Sequence, residues 1–315
     1  MVKRSFCFSG FLPALLLLGG LSATPGQAQQ TRFSHVYAFG DSYLDNGALR
    51  AVSEEAVRAK VPGAMILPRE SPAGVYWQGR WSNGPTSVEV LAKRLNVGLS
   101  DYAVGGARCG SGNYDTWLDG WRDTGLRGQI LAFLSGGQAL DRDALYVMGA
   151  SANDFFQKID FSKPISLPEM AWQCATEMQD AVNLLARHGA RHFLVLSAYG
   201  LDRVPAVASN VKTVALAQEF QVLFDRDVHE ALDAPHSSYG ITLRWFSVAM
   251  ATENLIRDRE KYHITDTVNP CQVTFPQPQK ACADPDQHLW WDEYHPTRRA
   301  HAIVADKILE GLEER

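Results

Sequence analysis

Val36-Tyr37-Ala38-Phe39-Gly40-Asp41-Ser42 decides how this chain is read, because an apolar run of strand length leads directly into a glycine and a serine. A parallel sheet delivers such a serine to its carboxyl edge, where ligands bind in open α/β folds. Alone, Gly-Asp-Ser is weak. At average residue frequencies the tripeptide arises by chance in roughly one chain in ten of this length, and an ordinary strand-to-helix turn accounts for it. Two distant segments change the weighing. Asp292-Glu293-Tyr294-His295-Pro296 sets a carboxylate three residues before an imidazole, and Ser151-Ala152-Asn153-Asp154 follows a second apolar run. A nucleophile, a base, an orienting acid and an amide donor are therefore all present.

Strand-like runs at about 35–39, 144–149, 192–197 and 241–248 alternate with helical patterns. The stretch 87–95 carries apolar residues at helical spacing, as do those near 169–188 and 208–232. A last helix is expected after Pro296, with Ala300, Ile303, Val304, Ile308 and Leu312 on one face. Parallel strands need crossovers, so the alternation predicts an α/β fold: a three-layer α/β/α sandwich around a central, mostly parallel sheet. The stretches 50–82 and 264–290 lack clear periodicity, are rich in Pro, Gly and aromatics, and read as long ordered loops framing a site. Among the rings, Trp77, Trp81, Tyr114, Trp117 and Trp121 suit an acyl or sugar ligand, with core packing the expected role for most of them.

Lys3 and Arg4, an apolar run from about Phe11 to Leu21, and the small residues around Gly26-Gln27-Ala28 read as a secretory signal over residues 1–28. That run is too short to span a bilayer, and no stop-transfer pattern follows. The expectation is a secreted or periplasmic protein with no integral membrane span in its mature part and one domain over 29–315. A net charge of −5 and the lack of a Lys/Arg block argue against a nucleic-acid surface. Export implies an oxidising compartment, in which Cys109, Cys174, Cys271 and Cys282 can pair in three ways. Cys271 with Cys282 is favoured because the two bracket a Pro-rich stretch, and Cys109 with Cys174 follows by elimination. Four free thiols are the alternative if export is misread. No C-x-x-C spacing occurs, His229-Glu230 lacks the second histidine of H-E-x-x-H, and His288 has no matching set, so neither a metal nor a cofactor is expected. Nothing in the sequence speaks to the oligomeric state.

A serine hydroxyl becomes an effective nucleophile when a base takes its proton during attack. His295 suits that task and Asp292 can accept the other ring N–H, while Pro296 opens the last helix and helps hold the pair. The bland alternative makes Asp292 a cap and His295 a surface residue. Attack on an ester carbonyl also places charge on oxygen, and one preorganised donor for it contributes about 2.7 to 4 kcal/mol. Gly105-Gly106 is otherwise a tight turn and Asn153 an Asx cap, whereas Asp41 and Asp154 are expected to hold loops by accepting backbone N–H bonds. The G-x-S-x-G elbow of another hydrolase class is absent.

Taken together, these blocks resemble the GDSL, or SGNH, family of serine esterases and lipases. The resemblance implies the flavodoxin-like SGNH-hydrolase fold, with Ser42 as nucleophile, His295 as base and Asp292 as its orienting acid. It also implies an oxyanion hole made of the Ser42 N–H, the Gly106 N–H within Tyr102-Ala103-Val104-Gly105-Gly106-Ala107, and the Asn153 amide, with Gly105 as the alternative backbone donor. Gly79-Arg80-Trp81-Ser82-Asn83-Gly84 is similar to a segment of the family's longer bacterial and plant-like branch. Tyr43 stands where the family nickname has leucine, a change expected to alter packing behind the serine but not its chemistry. Ser151 stands where the family's G-x-N-D block has glycine. The implied activity is hydrolysis of a small-molecule, lipid or acylated-sugar ester through an acyl-enzyme, without a cofactor. An acyltransferase using the same triad is the alternative within that chemistry; a non-catalytic exported carbohydrate- or lipid-binding module is the alternative outside it.

Overall fold

The computed structural model describes residues 1–2, 33–69, 76–137, 139–233 and 239–313, and the fold set out below is that of the unit Thr31–Arg315. The expected signal segment lies outside the described residues, apart from its first two. Five strands build one sheet: β1 (His35–Gly40), β2 (Gly98–Asp101), β3 (Leu145–Gly149), β4 (His192–Leu196) and β5 (Thr242–Phe246). Their order is β2-β1-β3-β4-β5, and every neighbouring pair is parallel. β3 is buried along its whole length and so reads as an unbroken apolar run. The edge strand β2, Gly98-Leu99-Ser100-Asp101, is short and half-exposed, and its sequence carries no alternation strong enough to announce a strand.

Two groups of helices sandwich the sheet. Ser87–Leu95 and Val248–Arg257 pack with the C-terminal helix Arg298–Glu313, while Leu126–Ser135 and Val211–Asp233 pack on either side of Leu167–Arg187. Local chemistry sets where they begin. Helix Ser87–Leu95 opens with a reciprocal cap, the Glu89 carboxylate accepting the Thr86 N–H at 2.9 Å, and closes at Asn96 in a left-handed conformation (φ 56°). Helix Leu167–Arg187 opens at Ser166, whose hydroxyl accepts the Glu169 N–H, with Pro168 in its first turn.

The stretch 50–82 differs from the loop expected there. Ala48–Arg58 is a helix that buries Leu49, Val52 and Ala56, with Leu49 and Val52 meeting Leu67, Val104 and Leu118 in a second small core. Its buried positions, Leu49, Val52, Ser53 and Ala56, follow helical spacing, but the residue at its capping position is Gly47, which brings no side chain to mark the start in the sequence. Helices Leu126–Ser135, Ala152–Asp160 and Val248–Arg257 are further elements beyond those expected from the sequence. The stretch 264–290 is irregular as expected, apart from the 3-10 turn Pro285–Gln287. Both expected disulfides form: Cys109–Cys174 ties the segment after β2 to helix Leu167–Arg187, and Cys271–Cys282 closes a loop just before Asp292. Among the described residues no helix is long and apolar enough to cross a membrane.

β1 ends where it must approach β3 closely. Gly40 lies opposite Gly149, and a Cβ on Gly40 would sit 2.3 Å from the Gly149 carbonyl oxygen. The Gln129 amide bonds both the N–H and the C=O of Gly40 at 2.8 Å, so the strand end cannot retreat. The glycine before Asp41-Ser42 is therefore a packing requirement. Gly40→Ala is expected to destabilise the protein by about 1 to 3 kcal/mol through overpacking. Thermal denaturation checks this; an unchanged Tm would mean that β1 and β3 part freely.

Candidate active site

The strand order places β2 on one side of β1 and β3 on the other, which makes the gap between β1 and β3 the topological switch point of the sheet. Ser42 follows β1 and Asn153 follows β3, so both border that crevice. His295 Nε2 lies 2.9 Å from Ser42 Oγ, and His295 Nδ1 lies 2.9 Å from each Asp292 oxygen. Ser42, His295 and Asp292 are all buried, so His295 is not a surface residue. Asp292 Oδ1 also accepts the N–H groups of Tyr294 and His295 at 2.7 Å, folding the segment into a tight turn that brings the ring back onto its own carboxylate. Burial pushes the Asp292 carboxyl up, but the His295 ring beside it, the Tyr76 hydroxyl and the Tyr294 N–H together draw it below the usual carboxylate value. Such a row can accept a hydroxyl proton as the oxygen attacks and stabilise the imidazolium that results.

The two candidate glycine donors are not equivalent. Gly105 N–H is taken by Asp45 Oδ2 at 2.7 Å, whereas the N–H groups of Gly106 and Ser42 make no hydrogen bond among the described residues. Gly106 holds φ 77°, and a Cβ there would meet Asn113 Oδ1 at 2.2 Å, so the position requires glycine. Asn113 braces this turn, its Nδ2 donating to Gly105 O and to Thr124 Oγ1, each at 2.9 Å. Asn153, buried in the first turn of helix Ala152–Asp160, donates to Ala107 O at 3.0 Å and keeps a second amide hydrogen for another acceptor. Asp41 and Asp154 accept backbone N–H groups, from Tyr43 at 3.1 Å and from Cys109 at 2.9 Å.

Residues 76–83 form a clasp over the acid–base segment that sequence reasoning did not find. Tyr76 Oη donates to Asp292 Oδ2 at 2.6 Å, and Trp81 stacks on His295 with ring centroids 4.9 Å apart. Ser82 Oγ donates to Pro296 O at 2.9 Å, and Asn83 Oδ1 accepts the Arg298 N–H at 2.7 Å. Tyr43 adds a tether from the other side, its hydroxyl donating to Tyr294 O at 2.9 Å. Its role thus exceeds the altered packing expected of it. The signal available in the sequence was the polar Ser82-Asn83 pair inside an aromatic stretch. Of the remaining rings, Trp117 joins the second core, Trp77 carries Arg80 at 4.8 Å, Tyr114 packs on Phe161, and Trp121 is exposed. His229 stacks on Trp245, and His288 Nδ1 lies 3.3 Å from Asn269 O.

The family model described as GDSL-like Lipase/Acylhydrolase matches residues 36–308. The chain is similar to a phosphatidylcholine-sterol acyltransferase of Aeromonas hydrophila, 23% identical over 340 residues that cover 93% of this chain and 95% of the relative. It is similar to a GDSL esterase/lipase of Arabidopsis thaliana, 24% identical, with 92% and 90% covered. A thermolabile hemolysin of Vibrio parahaemolyticus is 22% identical over 90% of this chain, which spans 65% of that relative's length.

Asp41, next to the serine, generates a pH prediction. Burial pushes its carboxyl up to about 7 against the Tyr43 N–H and the Tyr199 hydroxyl, and its Oδ2 has no hydrogen-bond partner among the described residues. Between about pH 4, where an ordinary aspartate ionises, and about 7, folded Asp41 holds a proton that the unfolded chain has released. The stability linked to this group is therefore present below that window and lost as pH rises through it. In Asp41→Asn the dependence disappears, so the Tm of the variant relative to wild type is expected to climb from about pH 4 to about pH 8. Calorimetry across that range checks it, and a constant difference would show an aspartate titrating normally.

Proposed function

The chain belongs to the GDSL-like lipase/acylhydrolase family, and from that membership we propose that it hydrolyses carboxylic esters through an acyl-enzyme on Ser42. The observation that carries the reading is the continuous hydrogen-bonded row from Ser42 Oγ through His295 to Asp292. Ser42 Oγ attacks the ester carbonyl while its proton passes to His295 Nε2, and Asp292 holds the Nδ1–H and balances the imidazolium. The tetrahedral oxyanion is met by the N–H groups of Ser42 and Gly106 and by the Asn153 amide. Collapse expels the alcohol, which takes the proton from Nε2. Water, deprotonated by the same nitrogen, then attacks the acyl-serine; Ser42 recovers the proton and the acid leaves.

One observation favours a second reading within this chemistry: the similarity to the Aeromonas acyltransferase over nearly the full length of both chains. An alcohol in place of water at the second step makes the enzyme an acyltransferase, and product analysis with and without added alcohol separates the two. The two disulfides and the signal-like segment support export, and the unbroken row argues against a binding module with a decayed site. Esters of p-nitrophenol with graded acyl length, acetylated sugars and phospholipids would identify the substrate class.

Ser42→Ala is expected to lower kcat by about 10⁴-fold or more with the fold intact, because the members of such a row act as a unit. Turnover near the wild-type rate in a folded variant would remove Ser42 from the mechanism. Asn153→Ala is expected to lower kcat by about 10² to 10³ with KM little changed, since its amide meets charge only in the transition state. Steady-state kinetics on one p-nitrophenyl ester reads both.

A further inference from the structure

We propose that Tyr76 is a positioning residue of this hydrolysis, its hydroxyl fixing the Asp292 carboxylate and setting how strongly that carboxylate holds the His295 imidazolium. The inference rests on the reading of Ser42, His295 and Asp292 given above. Tyr76 Oη donates to Asp292 Oδ2 at 2.6 Å across 216 residues of sequence. The same oxygen faces His295 Nδ1, while Oδ1 also carries two backbone N–H groups. Tyr76 and His295 therefore share Oδ2, and no other side chain among the described residues donates to that carboxylate.

The hydroxyl is presented from a rigid platform. The Tyr76 ring packs against Trp291 and the Cys271–Cys282 disulfide, and meets Trp81 edge-on at 5.3 Å. Trp81 in turn stacks on His295, their planes inclined by 29°. Burial, and then the charge of Asp292, push the Tyr76 phenol far above its ordinary value, so it stays a donor throughout the working pH range. A donor on Oδ2 disperses the charge that Asp292 offers to the imidazolium and stops the carboxylate from rotating. Without it, Asp292 would hold the protonated ring more tightly and in a less defined pose. The other titratable groups facing the pair are Asp41, Tyr43, Glu293, Tyr294 and His301, and all are left intact by a change at Tyr76.

Tyr76→Phe keeps the ring on its platform and removes only the hydroxyl. With a p-nitrophenyl ester, kcat is expected to fall about tenfold, the worth of one hydrogen bond to a charged group, with KM unchanged. The acid limb of the rate profile should move to higher pH, and in an Asp292→Asn background the same substitution should have little further effect. A readout independent of turnover is the low-field proton resonance of His295 Nδ1–H, expected to shift in Tyr76→Phe without substrate. An acid limb and a resonance that both stay in place overturn the proposal, whatever happens to kcat. A fall in kcat that only tracks a fall in Tm overturns it as well, by reducing Tyr76 to a packing residue. Full activity in Ser42→Ala would instead strike the underlying reading, and the resonance would still report on the Tyr76–Asp292 contact.

Discussion

One buried carboxylate, that of Asp45, joins the two halves of the candidate site. Its Oδ1 accepts the N–H groups of Gly47 and Ala48, and its Oδ2 those of Leu49 and Gly105. Three of these donors sit at the start of helix Ala48–Arg58, where backbone N–H groups lack partners within the helix and the helix dipole favours negative charge. The fourth belongs to the loop after β2. A single side chain thus caps a helix and pins the Gly105-Gly106 turn beside the serine turn. A carboxylate is suited to this because its two oxygens can accept four hydrogen bonds at one point. Removing it would strand four donors, those of Leu49 and Gly105 buried and those of Gly47 and Ala48 part-buried, and each buried one carries a desolvation penalty of about 1 to 3 kcal/mol. Because Asp45 takes the Gly105 N–H, it is the Gly106 N–H that is left without a hydrogen-bond partner among the described residues.

How far the sequence disclosed the fold follows from burial. β3 and β4 lie inside the sheet and are apolar along nearly their whole length, so they are legible, as are the long helices Leu167–Arg187 and Val211–Asp233 with their repeated apolar faces. β2 was not legible, because an edge strand of four half-exposed residues needs little hydrophobic signal to pair with β1. Helix Ala48–Arg58 was hidden for a different reason: its buried positions follow helical spacing, but the group that caps it, Asp45, lies two residues before the capping position and bonds through geometry that no short motif describes.

The candidate site divides along the same line. Ser42, Asn153, Asp292 and His295 stood out because each belongs to a compact block whose residue types fit one chemistry, and the fold brings these blocks to one crevice. The residues that orient them did not stand out. Asn113 looks like any loop asparagine until its side chain is seen filling the space that a Cβ at Gly106 would need. Tyr76 looks like one more ring in an aromatic stretch until its hydroxyl is traced to Asp292. Both act across long sequence separations, and their signal is a single polar atom in the right place, which composition and periodicity do not encode.

The clasp gives the irregular segments a mechanical role beside any role in framing substrate. Residues 76–83 touch the acid–base segment at Asp292, His295, Pro296 and Arg298 in order, so the two strands of irregular chain run along each other for four contacts. The segment 271–282 supports this arrangement from behind, through the disulfide against which Tyr76 and Trp291 pack. Glu293, between Asp292 and Tyr294, extends the connection by accepting the Thr274 and Phe275 N–H groups and the Thr274 hydroxyl. Segments free to vary would leave the imidazole free to tilt, and a misplacement of about 1 Å can cost 10²-fold in rate. Under the proposed mechanism, changes in either segment would therefore act on His295 as well as on any substrate they frame, and would couple substrate preference to rate.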